Sequence, residues 1–98
     1  MKLDQSLYKY FYQCGTIENC HDKQDIYLEE DISHGIYLVV EGKVRVYLLS
    51  QDGLEVTIEI LEAGSVFGTS SMITDSTRPV NVAAIGDTRL IHCPLERF

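Results

Sequence analysis

The run Phe67-Gly68-Thr69-Ser70-Ser71, followed ten residues after the glycine by Arg78-Pro79-Val80, holds the residue types best suited to chemistry in this chain. A glycine lets the backbone approach an anion closely. Thr69, Ser70 and Ser71 offer hydroxyls and N–H groups at what should be the start of a short helix, where the dipole favours negative charge. Arg78 brings a planar, always-protonated fork suited to phosphate or carboxylate. Val56, Ile58 and Val80 are expected around the body of such a ligand, with Phe67 leading into the glycine. Alone, 68–78 would read as a polar loop and Arg78 as a solvated charge. Set between strands, Arg78 is expected to face an anion.

Other chemistries need constellations that are missing here. A cupin-like metalloenzyme wants clustered imidazoles, and His21, His34 and His92 are scattered. No nucleophile–base–acid set stands out, so the chain reads as a non-enzyme with no metal site. Glu29-Glu30-Asp31 could hold a cation, but consecutive acids in a turn are ordinarily solvated. Cys14, Cys20 and Cys93 show no framework spacing and read as reduced, unpaired thiols. Three thiols also fall short of the four that an iron–sulphur cluster needs. A redox switch through Cys14 or Cys20 is the alternative.

These residues must be held by one small domain. The 98 residues suffice for a single modest core, and 45 % hydrophobic with 23 % charged is an ordinary globular balance. No apolar run reaches the ~18 residues of a membrane span, and the start shows no signal-peptide core, so a cytoplasmic location is expected. A net charge of −7 repels phosphate backbones, so any contact with DNA lies elsewhere.

Leu3, Leu7, Phe11 and Cys14 fall at helical spacing, which predicts a helix over 3–14 ended by Gly15. From Gln24 the period changes to two, predicting a roll over 24–94. Ile36-Tyr37-Leu38-Val39-Val40 is a continuous β-prone run closed by Glu41-Gly42. Val44, Val46 and Leu48 then point one way, and Arg45, Tyr47 and Leu49 the other. Asp52-Gly53 marks a hairpin turn. On the return strand Leu54, Val56, Ile58 and Ile60 alternate with Glu55, Thr57 and Glu59. Two further strands, 80–85 and 88–92, are expected on either side of Gly86-Asp87. The fold class is mainly β: many short strands with closely spaced turns, after one short helix, describe a sandwich or barrel-like roll. Leu95-Glu96-Arg97-Phe98 looks like the opening of another helix.

From Asp25 to Phe98 the chain resembles the cyclic-nucleotide-binding domain family. The segment from Ile36 through Glu41-Gly42 to Tyr47 is similar to its strand–glycine–strand signature, and the hairpin at Asp52-Gly53 follows in order. Ala63-Gly64-Ser65-Val66-Phe67-Gly68 matches the lead-in to its phosphate-binding cassette, and Arg78 falls where the family pairs an arginine with the cyclic phosphate. Nucleotide-binding members usually follow the Phe-Gly pair with a glutamate that takes the ribose hydroxyl; here that position is Thr69. After the arginine they prefer a residue with a free N–H; here it is Pro79. In the turn before the signature strand, Glu30 replaces the usual glycine. Cys93-Pro94 resembles an element of some haem-responsive proteins, although a small apolar residue at the end of the last strand is the simpler reading.

The resemblance implies an antiparallel jelly-roll or double-stranded β-helix with a short N-terminal helix and a short cassette helix, serving as the sensor domain of a Crp/Fnr-type bacterial transcription regulator. Its effector would be a small anion, cyclic AMP or another, in a retuned cassette, with no prosthetic group. It further implies a homodimer, and a dimerisation helix and helix-turn-helix beyond residue 98 that would touch DNA. A ligand-free roll serving as a dimerisation platform, or a true cyclic AMP site, are the alternatives.

Overall fold

A computed structural model describes residues 2–32, 35–69 and 77–94. Ser70, Ser71 and the expected cassette helix, His34, and the segment 95–98 lie outside the described residues.

The N-terminal helix begins as a 3-10 turn, Gln5–Leu7, whose cap Asp4 accepts a hydrogen bond from the Ser6 N–H. It continues as α1, Tyr8–Cys14, in which only Phe11 is buried. Leu7 supplies no side-chain cap. Seven residues cannot sustain a helix alone, so docking of Phe11 with Leu3, Tyr8 and Cys14 against the sheet holds it.

Six antiparallel strands follow: β1 Thr16–Cys20, β2 Asp25–Tyr27, β3 Ile36–Leu49, β4 Glu55–Glu62, β5 Val66–Phe67 and β6 Asn81–Cys93. The order is β1-β6-β3-β4, with β2 also on β6 and β5 also on β3. The roll therefore starts earlier than 24: β1 pairs with the far half of β6, from Thr16 opposite His92 to Cys20 opposite Thr88. The two strands expected over 80–92 are one, because Gly86 bends the chain at φ 67° without ending the ladder. β3 likewise runs through Glu41-Gly42, where register shifts between Val39 and Lys43 mark bulges that curl the strand.

Alternation along β3 sorts two cores. Tyr37, Val39, Val44 and Val46 face inward with Tyr27, Phe67, Val82 and Leu90. Ile36 and Leu38 face the other side, where α1 covers them together with Val66, Ile91 and Cys93. That double coverage explains why 36–40 is continuously apolar: both faces are buried. The apolar face of β4 is left uncovered: Val56, Ile58 and Ile60 are each more than half exposed, and among the described residues β4 pairs with β3 alone, at the edge of the sheet.

Glu30, in the loop before β3, has φ 77°, a left-handed conformation that costs a side-chain-bearing residue about 1–2 kcal/mol. Its N–H donates to the Arg78 carbonyl, while the Arg78 N–H donates to the Asp31 carbonyl, so the loop is pinned to the exit of the cassette. Glu30→Gly should therefore raise stability by about 0.5–1 kcal/mol, net of the extra freedom glycine gives the unfolded chain. Urea unfolding checks this; a loss of stability would show that the glutamate side chain contributes more than its backbone costs.

Candidate functional site: the cassette entrance at Gly68 and Arg78

β5 ends at Phe67, whose ring stacks on Tyr37 inside the roll with centroids 5.0 Å apart. The chain then turns at Gly68, with φ 87°. A β-carbon there would lie 2.8 Å from the Arg78 Nη1, so the left-handed backbone favours glycine and any larger residue would push the tip of the arginine aside. Thr69, next in line, is exposed.

Arg78 arrives from the other side, just before β6. It is 2 % exposed, which removes the reading of a solvated surface charge. Its Nη1 donates to the Gly68 carbonyl at 3.0 Å and its Nη2 to the Gly35 carbonyl at 2.8 Å. The guanidinium lies over the Tyr27 ring, 4.1 Å from the centroid. Arg78 thus clamps the start of β3 to the entrance of the cassette. Beside it opens a cleft of about 430 Å³ lined by Ile26, Tyr27, Tyr37 and Arg78, with Glu30, Asp31 and Ile32 at its edge.

The other candidates distribute differently. Pro79 is exposed, and Val80 is half-buried against the inner core. Val56 and Ile58, expected around a ligand, lie on the exposed edge strand. Ser70 and Ser71 fall outside the described residues. The chain pattern did not reveal the aromatic group of Tyr27, Tyr37 and Phe67 behind Arg78, nor Gly35 as its second acceptor. Their strand alternation was legible, but their convergence comes from the curl of β3.

The tyrosines behind the site carry a pH signature. Burial, reinforced by Glu18, pushes the Tyr37 hydroxyl up to about 12 despite the opposing Arg78 charge. Burial and the 2.8 Å hydrogen bond to Asp25 push Tyr47 up to about 12 as well. Between pH 10, the ordinary phenol value, and about 12 the folded chain keeps protons that the unfolded chain has released. Their stabilising contribution is complete below that window and is lost as pH rises through it. A phenolate absorbance titration should show Tyr37 and Tyr47 ionising above the ordinary phenol value, together with unfolding. A single transition near the ordinary value, with the fold intact, would contradict it.

The thiols depart from the sequence-based expectation. Cys14 and Cys93 are not unpaired: they are joined in a disulfide with Cα atoms 5.7 Å apart. Cys20 is the free, buried cysteine, and burial, with Glu18 adding, raises its pKa. Cys93 does end the last strand inside an apolar cluster, as the packing reading required. Among the described residues no group of three or more His, Cys, Asp or Glu could hold a metal ion. Nor, among them, is any helix long and apolar enough to cross a membrane.

A family model described as the cyclic nucleotide-binding domain matches residues 17–98. The chain belongs to that family. The cyclic AMP receptor protein of Thermus thermophilus is 33 % identical over 66 residues, covering 67 % of this chain and 31 % of that protein. The global nitrogen regulator of Synechococcus elongatus is 29 % identical over 101 residues, 95 % of this chain and 46 % of that one. The crystal structure of the T. thermophilus catabolite activator protein superposes with a TM-score of 0.83 at 25 % identity, over 97 % of this chain and 45 % of that one. The domain is thus related to Crp/Fnr-type regulators and shares their antiparallel β-roll, and it spans less than half the length of these relatives.

Proposed function

We propose that this domain is the effector-sensing part of a cytoplasmic, homodimeric Crp/Fnr-type transcription regulator. It takes a small anionic effector at 68–71 and Arg78, against Phe67 and Val80. The observation that carries the reading is the Arg78 guanidinium, buried beside an open cleft and bonded to the carbonyl of Gly68, whose φ of 87° favours glycine. An incoming anion would compete with the Gly68 and Gly35 carbonyls for the same fork. Binding would therefore loosen or re-aim the clamp between β3 and the cassette. That is a shift between two arrangements of one segment, which is what a sensor needs and a catalyst does not. In the whole regulator the shift would pass to a dimerising helix and a DNA-binding unit beyond residue 98.

Thr69 and Pro79 favour an effector other than cyclic AMP. Each replaces a polar contact worth on the order of 1–3 kcal/mol, so cyclic AMP should bind tens to thousands of times more weakly than at a site with both contacts. The relative named a cyclic AMP receptor keeps that nucleotide in the test all the same. A ligand-free platform is the second reading, favoured by the Arg78 bonds to the protein's own carbonyls and by Glu30 and Asp31 at the rim of the cleft. Titrating the chain with small anions, with Arg78→Lys as control, separates the two. Binding weakened by the substitution supports the sensor; no binding by any anion supports the platform.

A further inference from the structure

The disulfide joins the two ends of the described chain, 79 residues apart. Cys14 is the last residue of α1 and is partly exposed, while Cys93 is the last residue of β6 and is fully buried. Apart from the disulfide, α1 is held by its apolar packing on the sheet, through Phe11 with Leu3 and Tyr8. Phe11 is its one buried residue, its N-cap gives no side-chain bond, its first turn has no acid and its last turn no base. The link that follows packs tightly: a β-carbon on Gly15 would lie 2.5 Å from Ile91 and 2.8 Å from the His92 carbonyl. α1 is therefore positioned where Cys14 meets Cys93, and a helix this short depends on such anchoring. Cys93 also pairs with Ile36, next to the Gly35 whose carbonyl holds Arg78.

We propose that Cys14 and Cys93 are a reversible redox-modification site that fastens α1 onto the end of β6 by thiol–disulfide exchange with a low-molecular-weight disulfide of the glutathione class. The Cys14 thiolate, the one an outside reagent can reach, attacks the reagent disulfide, forming a mixed disulfide at its Sγ and expelling one thiolate. The Cys93 thiolate then attacks the Cys14 Sγ and expels the second. The protein loses two electrons and two protons, and the reagent leaves as two thiols. The reverse exchange with an excess of thiol frees the helix. Cys20, buried and outside the pair, takes no part. The proposal stands independently of any ligand at Arg78.

Equilibrating the chain in oxidised and reduced glutathione buffers, with peptide mass mapping and amide hydrogen exchange, tests it. The expected result is a Cys14–Cys93 linkage in oxidising buffer, with Cys20 left as a thiol. The α1 amides should exchange at least about tenfold faster after reduction, and faster than those of β3 and β6. Cys20→Ser should change neither reading. Two outcomes overturn the proposal: Cys14 and Cys93 remaining as thiols or glutathione adducts in oxidising buffer, or α1 exchanging equally fast in both forms. Both readings come from the unsubstituted chain, so neither depends on a variant folding.

Discussion

Reduction of the Cys14–Cys93 disulfide is expected to lower the unfolding free energy by about 3–4 kcal/mol, because the bond closes a loop spanning almost the whole chain. With the linked cysteines 79 positions apart, the unfolded ensemble loses a large part of its freedom. The relevant comparison is with the total: domains of this size are stable by roughly 5–15 kcal/mol, so the bond supplies a substantial share. At about 4–8 °C per kcal/mol, the melting temperature should fall by roughly 12–32 °C on adding a reductant. Urea unfolding with and without reductant measures it, and Cys14→Ser should reproduce the reduced form without further sensitivity to reductant. Equal stability in both conditions would mean that the native state gains nothing from the linkage.

Arg78→Ala is expected to have the second large effect, for a local reason. Truncation leaves the Gly68 and Gly35 carbonyls without their donor in a buried setting and strips the Tyr27 face of its cation. Hydrogen bonds from a charged group are worth about 1.5–3 kcal/mol each, partly recovered if water enters the cleft, so a net loss of about 2–4 kcal/mol follows. Arg78→Lys should fall between, since an ammonium keeps the charge but cannot span both carbonyls in one plane. Chemical unfolding of the two variants ranks them. Equal stability of Arg78→Ala and the parent would show that the clamp is structurally idle. Any ligand that uses the fork should bind on the order of 10–100 times more weakly to Arg78→Lys, by the loss of one charge-assisted contact.

Most of the architecture could be read from the residues, because period-two patterning and turn chemistry are local. Asp52-Gly53 turned where expected, between β3 and β4. The β-prone run at 36–40 reads as a strand from its residues, and its two covered faces account for its unbroken apolarity. Other features depend on distant partners. β1 carries no local strand signal, because Thr16-Ile17-Glu18-Asn19-Cys20 buries only Cys20 and its pairing with β6 is set by residues about seventy positions away. β4 carries an alternating pattern as clear as any, yet Val56 and Ile58 stand in solvent, since periodicity shows that a face is apolar and not what covers it. The disulfide escaped for the same reason: 79 residues of separation carry no spacing signal, and only the return of β6 beneath α1 brings the sulfurs together. At the cassette, the types and order of Gly68 and Arg78 were legible, whereas Gly35 and the Tyr27 ring emerged from the curl of β3.

The central claim is that a small anion is received at Gly68 and Arg78. The most direct test is a titration of the isotopically labelled chain, followed by the amide signals of Gly68 and Thr69 and the side-chain Nε signal of Arg78. The panel should hold cyclic AMP, cyclic GMP, inorganic phosphate and a set of di- and tricarboxylates, with Arg78→Lys in parallel. At least one anion should move all three signals saturably, with cyclic AMP among the weaker ligands and the affinity reduced in Arg78→Lys. If no anion in the panel moves the Gly68 and Arg78 signals while the fold stays intact, the sensor reading is contradicted and the roll is a platform held closed by its own arginine.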